Sequence, residues 1–373
     1  MQQPLMQNQN EVQPMVEKRQ KSRRPFWTGF IILLILIGVV SYFRTSESKP
    51  AQEVRKTVEK VVVKPTEIPT PTPYPFYELT IPALREQSYE SELGELEEVS
   101  DNGAYISYTT SYESESLTIN GLLTKPTGDM PEGGWPAVVF VHGYIPPDQY
   151  ATISRPYESY VDFIARNGFV VYKIDLRGHG DSDGEATGAY YSAGYVIDTL
   201  NAYAALQGSD FVNADRIGLW GHSMAGNVTM RSLAVKKDIP ATVIWAGAVY
   251  SYKDMAEYGL NDTSYRRPDD DSPRLRMREQ IRKLYGEAGD DNLFWREMAP
   301  ATYLNDINGA IELHHAVDDT VVDVGYSRDL TALLEQTDVP HELFEYQSGG
   351  HNITGGSFIT AMERTVSFYK EHL

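Results

Sequence analysis

Cysteine is absent from all 373 residues, which excludes disulfides, thiolate metal sites and a cysteine nucleophile. Positive charge is scarce as well: 33 Lys and Arg stand against 52 Asp and Glu, a net charge of -19. The deficit is uneven. Residues 1–50 carry seven Lys/Arg against three Glu, so the rest of the chain holds -23. An acidic body of that kind repels nucleic acid and anionic lipid, and no nucleic-acid partner is expected. Internal repeats at solenoid or propeller periods are missing too. What is present, 41% apolar with 11% aromatic residues, suffices for a large single-domain core with some chain left over.

The surplus lies at the N-terminus. Phe26 to Phe43 is an uncharged run of 18 residues, long enough to cross a hydrocarbon core at about 1.5 Å per helical residue. Lys18, Arg19, Lys21, Arg23 and Arg24 precede it, and only Arg44 lies close behind. This asymmetry predicts a basic cytoplasmic tail (1–24), a transmembrane signal anchor (25–43) and an exported body. A cleaved signal peptide would carry a shorter apolar region and a small-x-small site. Val39-Val40-Ser41 is a poor one, so the anchor is favoured. Residues 44–76, with Pro50, Pro65, Pro69, Pro71, Pro73 and Pro75, read as an extended spacer of polyproline character. An exported protein without disulfides suits a bacterial surface or periplasm.

From about residue 104 the pattern becomes regular. Tyr105–Tyr112 and Leu117–Thr124 predict an antiparallel hairpin. Short apolar runs follow at Ala137–His142, Phe169–Ile174, Arg216–Trp220, Ala241–Trp245, Ala310–His314 and Glu342–Tyr346, each of buried-strand character. Helical spacing separates them at Pro156–Asn167, Tyr190–Gln207, Met224–Lys236 and Phe358–His372. The alternation predicts a mostly parallel sheet of about eight strands with helices on both faces. Active sites in such sheets gather at the carboxyl ends of the strands.

Gly221-His222-Ser223-Met224-Ala225-Gly226 lies at one such end. It reads as a nucleophile elbow, where a serine at the tip of a sharp strand-to-helix turn projects its hydroxyl from the sheet. Small residues on either side are required because strand and helix nearly touch; Ala225 stands where the pattern has its second glycine. A serine hydroxyl needs a base, and that base is usually an imidazole oriented by a carboxylate. On this type of turn the acid and the histidine follow the serine along the chain. That order eliminates His142, His179 and His222, while His314 and His315 fall in a strand before the best acids. His341 begins a strand and His372 adjoins the terminus, where chains fray. His351, in Gln347-Ser348-Gly349-Gly350-His351 after the last strand, is the base. The loop after Ala310–His314 offers two adjacent acids: register favours Asp318, with Asp319 the alternative. His314 and His315, adjacent on a strand, point to opposite faces and cannot readily share an ion, so no metal is expected. Two backbone donors are needed for an oxyanion hole. The Met224 N–H supplies one, and the loop His142-Gly143-Tyr144 offers the Tyr144 N–H.

Val141-His142-Gly143, Asp175-Leu176-Arg177-Gly178-His179-Gly180-Asp181-Ser182, Gly221–Gly226, His314–Val321 and Gly349-Gly350-His351 follow one another as in the α/β-hydrolases. Over roughly residues 104–373 the chain most resembles the prolyl oligopeptidase catalytic domain and its dienelactone-hydrolase-like relatives. The resemblance implies an α/β-hydrolase fold in which Ser223 is the nucleophile, Asp318 the acid and His351 the base, with Met224 and Tyr144 forming the oxyanion hole. It implies no cofactor. Two departures stand out: Ala225 replaces a glycine, and His315 replaces the glycine that usually follows the strand-end histidine. The propeller by which large family members select short peptides has no counterpart. Lys253 to about Asn292 interrupts the alternation with a charged stretch and reads as a short helical cap, 253–292, within a hydrolase domain of 77–373.

The expectation is a membrane-anchored, extracytoplasmic serine hydrolase acting through an acyl-enzyme on a small ester or short peptide. A catalytically silent surface binding module and an acyltransferase are the alternatives. Asp175 and Arg177 are expected to shape the loop beside the site.

Overall fold

In the computed structural model the chain divides into two units, Met1–Thr70 and Pro71–Leu373, and the structure describes residues 74–153, 155–261, 273–289 and 291–373. The predicted tail, anchor and all but the last residues of the spacer lie outside them. Among the described residues no helix is long and apolar enough to cross a membrane.

Among the described residues nine strands form one sheet: β1 (Glu97–Asp101), β2 (Tyr105–Ser114), β3 (Leu117–Pro126), β4 (Trp135–Val141), β5 (Val170–Ile174), β6 (Val212–His222), β7 (Ala241–Trp245), β8 (Ala310–Ala316) and β9 (His341–Tyr346). Their order is β1-β2-β3-β5-β4-β6-β7-β8-β9. The first three are antiparallel and β5 through β9 run parallel. The hairpin β2–β3 closes through Glu115 and Ser116, both at positive φ (50° and 67°), the left-handed pair that suits a tight turn to the twist of two antiparallel strands.

The composition of β4 explains the two-layer covering. Ala137, Val139 and Val141 pack into one core, with the helices Gly194–Gln207, Ala225–Val235 and Gly325–Leu334. Val138 and Phe140 pack into the other, with the helices Glu158–Arg166 and Gly356–His372. Successive side chains alternate faces, and a strand buried on both faces must be apolar at every position. Strand β1 has no such run. All five of its residues are exposed, and its charged edge carries no apolar alternation from which the sequence could announce a strand. It pairs with β2 through an irregularity between Glu98 and Ser100, and charge at an edge discourages further strand addition. The interruption predicted over 253–292 contains the helices Tyr252–Tyr258 and Pro273–Tyr285 and is followed by Leu293–Met298. Ile281, Phe294, Trp295 and Met298 are buried in the core, so these aromatic and apolar residues pack rather than face solvent.

Candidate active site

Strand β6 ends at His222, and Ser223 takes φ +56°, a left-handed conformation that an L-residue other than glycine holds only when its surroundings impose it. The restraint is visible. The Ser223 N–H donates to the Trp245 carbonyl (2.9 Å), while the Ser223 carbonyl accepts from Gly226 (2.9 Å) and Ala248 (3.3 Å). The close approaches of the elbow fall on two glycines. A Cβ on Gly221 would sit 2.9 Å from the Ala225 carbonyl oxygen, and one on Gly226 would sit 2.7 Å from the Gly247 Cα. Ala225 itself is fully buried in the core, where its methyl is packed, so this departure is accommodated at its own position.

His351 lies in the turn Gly350–Asn352 that follows β9. Its Nδ1 is 2.8 Å from Asp319 Oδ2. This corrects the choice of Asp318 over Asp319. Strand β8 runs two residues beyond the predicted end, through His315 and Ala316, and then turns with the Asp319 N–H donating to the Ala316 carbonyl (3.1 Å). The turn breaks the strand alternation on which the register choice rested and directs Asp319 inward. Its side chain is wholly buried, and Oδ1 accepts from the Val321 (2.8 Å) and Val322 (3.1 Å) amides. Burial by itself raises the carboxyl's pKa, but hydrogen bonds from His315 and His351 outweigh it and hold the group well below the usual carboxylate range. Asp318 is exposed. It accepts from the Gly350 (2.8 Å) and Gly349 (3.3 Å) amides and so pins the loop that carries His351.

Two histidines with no predicted role sit against this pair. His315 is buried on β8, with Nδ1 2.7 Å from Ser327 Oγ and Nε2 3.0 Å from the Val322 carbonyl and 3.3 Å from Asp319 Oδ2. Facing two oxygen acceptors, Nε2 carries the hydrogen, and Nδ1 accepts from the serine hydroxyl. His222 is held likewise: Nε2 donates to the His351 carbonyl (2.9 Å) and Nδ1 accepts from the Tyr157 hydroxyl (2.8 Å). That hydroxyl accepts from the Gly143 N–H (2.9 Å). Burial, then the neighbouring His351, push the His222 pKa down to about 3. A neutral ring therefore links the Gly143 loop, the elbow and the base loop. His315 carried one sequence signal, its departure from the family glycine; His222 carried none, because its partners lie 65 and 129 residues away.

Tyr144 and Met224 leave adjacent parallel strands, since Val141 of β4 is paired with Gly221 of β6. The Gly143 amide is engaged by Tyr157, and the two amides expected as oxyanion donors, those of Tyr144 and Met224, follow these neighbouring strand ends. Arg274, on the helix Pro273–Tyr285, lies 5.8 Å over the Tyr144 ring, which sets the charged interruption at the border of this loop. Beside it is a buried polar cluster: Asp175 accepts from Tyr150 (2.8 Å) and Thr152. Burial raises the Asp175 pKa to about 6 despite those bonds. Arg177 binds Asp198 (2.7 Å) and Glu115 (2.8 Å), a loop-shaping part as expected. Among the described residues no group of three or more His, Asp or Glu is arranged to hold a metal. His314 and His315 do diverge: His314 binds Glu312 and Tyr346.

The strand order, the serine at the tip of a strand-to-helix turn, and a histidine–carboxylate pair on the loops after β9 and β8 define the α/β-hydrolase fold. Comparison with known proteins agrees. Residues 136–268 match the family model for serine aminopeptidase, S33. Mouse dipeptidyl peptidase 8 is 26% identical over 254 residues, covering 65% of this chain and 26% of the peptidase. The chain thus spans about a quarter of the length of that relative. Among solved structures, a puromycin-hydrolyzing peptidase of Mycobacterium tuberculosis superposes with a TM-score of 0.55 at 18% identity, covering 73% of this chain and 40% of its own. An acetyl xylan esterase from Paenibacillus sp. R4 does so with a TM-score of 0.55 at 17% identity, covering 79% of this chain and 92% of its own. The resemblance to prolyl oligopeptidase-like and esterase α/β-hydrolases is therefore met, and the comparisons support a serine hydrolase enzyme.

Proposed function

We propose that this protein cleaves ester or amide bonds through an acyl-enzyme, with Ser223 as nucleophile, His351 as base and Asp319 as the acid that orients it. The observation that carries this reading is the 2.8 Å contact between His351 Nδ1 and the buried Asp319 carboxylate. It commits the Nδ1 hydrogen to the acid and leaves Nε2 to accept a proton. Ser223 Oγ gives its proton to Nε2 as it bonds to the substrate carbonyl carbon, and the Met224 and Tyr144 amides meet the oxyanion. As the intermediate collapses, the bond to the leaving oxygen or nitrogen breaks and that atom takes the proton from Nε2. Water then repeats the sequence: its proton passes to His351, its oxygen bonds to the acyl carbon, and Ser223 recovers the proton as the acid leaves.

The substrate class is a small ester or short peptide, the chemistry named for the peptidases and esterase matched above. The apolar run 25–43 anchors the chain in a membrane with the acidic body outside; accessibility of that body to protease added to intact cells tests this, and protection refutes it. Fluorophosphonate labelling of the full chain should modify Ser223, and Ser223→Ala should abolish both labelling and ester turnover. Labelling that persists in the variant overturns the assignment. An unlabelled but folded protein would instead be a binding module on this fold.

A further inference from the structure

A cleft of about 650 Å³ opens between three segments: the residue after the oxyanion loop (Ile145), the start of the helix Glu158–Arg166 (Tyr157, Tyr160), and the base loop running into the C-terminal helix (Asn352, Phe358, Ile359). Two of these residues adjoin proposed catalytic groups in the chain, Ile145 following Tyr144 and Asn352 following His351. Tyr157 joins them in space through its hydroxyl, bound to the Gly143 amide and to His222, whose other nitrogen holds the His351 carbonyl.

The walls set Ser159, Asn352 and Thr354 among aromatic and aliphatic side chains. None of the described residues lining the cleft is charged. The Tyr160 hydroxyl donates to the Asn352 carbonyl (2.8 Å) and the Tyr157 hydroxyl donates to His222 as above, so the hydrogen of each hydroxyl is already committed. The Phe358 ring stands edge-on to Tyr160 with centroids 5.0 Å apart. Ile359 at the lining is 51% exposed, leaving apolar surface that a bound group would cover.

We infer that this cleft receives the leaving group of the acyl substrate, and that it selects an uncharged, apolar or aromatic alcohol or amine. The inference rests on the serine hydrolase reading. In acyl transfer the departing oxygen or nitrogen takes its proton from the base as its bond to the acyl carbon breaks, so it must lie beside the base while the acyl group stays on the serine. The cleft is bordered by the base loop itself. A leaving group bearing a carboxylate, such as a peptide with a free C-terminus, meets no cation among those walls and loses its hydration there.

The test uses the full chain in detergent and two ester pairs. One keeps the acetyl group and changes the alcohol from ethanol to 3-phenylpropanol, two alcohols of similar acidity; the other keeps ethanol and lengthens the acyl group to phenylbutanoyl. We expect kcat/KM for phenylpropyl acetate to exceed that for ethyl acetate about tenfold, the selectivity one apolar group supplies in a pocket. Ile359→Arg should bring that ratio close to one, and Ile359→Ser should lower it by severalfold, without moving the acyl-pair ratio. A parent with no preference for the larger alcohol, variants that leave the alcohol ratio where it was, or variants that move only the acyl ratio overturn the assignment. Fluorophosphonate labelling of Ser223 run in parallel separates the two claims: its absence in the parent defeats the hydrolase reading, and its presence with an unmoved ratio defeats the cleft alone.

Discussion

Asp319→Asn and Asp318→Asn make the same chemical change at adjacent residues and should differ in kcat by about three orders of magnitude. Oδ1 of Asp319 is held by the Val321 and Val322 amides and Oδ2 faces His351 and His315. An asparagine that keeps its oxygen on the two amides must turn its NH2 toward His351 Nδ1. Two donors cannot share that contact, so the imidazole is driven to the tautomer with hydrogen on Nε2, which cannot take the proton of Ser223. Loss of an orienting acid by this route costs about 10⁴ in kcat, or roughly 5 kcal/mol in the barrier. Asp318 is exposed, and its asparagine keeps one oxygen for the 2.8 Å bond to Gly350. It forfeits the longer bond to Gly349 and the charge, about 1 kcal/mol and less than tenfold in rate. The assay is steady-state hydrolysis of a nitrophenyl ester, with the fluorophosphonate labelling rate as a second reading and circular dichroism to confirm that each variant is folded. An Asp318→Asn loss as large as that of Asp319→Asn, or an Asp319→Asn enzyme within tenfold of the parent, refutes the assignment.

Stability should fall on mild acidification. His142 and His222 are buried with pKa values pushed down to about 3, first by desolvation and then by a neighbouring histidine each, so the unfolded chain takes up protons near pH 6.5 that the native state refuses. At pH 5 each costs about 2 kcal/mol relative to pH 7.5. Asp175, raised to about 6 by burial, works the other way and returns about 1.4 kcal/mol over the same interval, leaving a net loss of about 2–3 kcal/mol; Asp319, depressed, adds its own loss only below about pH 4. Urea unfolding at the two pH values measures this, and an unchanged midpoint contradicts it. At the elbow, Gly226→Ala should cost about 1–3 kcal/mol and slow Ser223 labelling, because the new Cβ meets Gly247 backbone at 2.7 Å. Ala225→Gly should cost about 1–2 kcal/mol, mostly for the buried methyl it removes from the core, with a smaller helix-propensity term at the first helical position, and leave labelling intact. Thermal melts with labelling rates check both, and a Gly226→Ala enzyme as stable and reactive as the parent refutes the packing account.

Much of the site was legible because apolar runs of strand length and the small residues around Ser223 are local signals. They placed Ser223, His351 and the two acids at the carboxyl ends of β6, β9 and β8 before any contact was known. Strand β1 was not legible: its five exposed residues have no periodicity, and only pairing with β2 makes them a strand.

By itself the sequence determined a mostly parallel sheet and the elbow, since these follow from periodicity or from residues next to one another, while the succession serine, acid, histidine came from the order such an elbow carries. Only the tertiary structure decided between Asp318 and Asp319, because which of two neighbours faces inward depends on where β8 stops and how its last carbonyls are satisfied. It alone also gave His222 and His315 their partners. Hydrogen bonds that close across the ends of different strands leave no periodic trace in the chain that makes them.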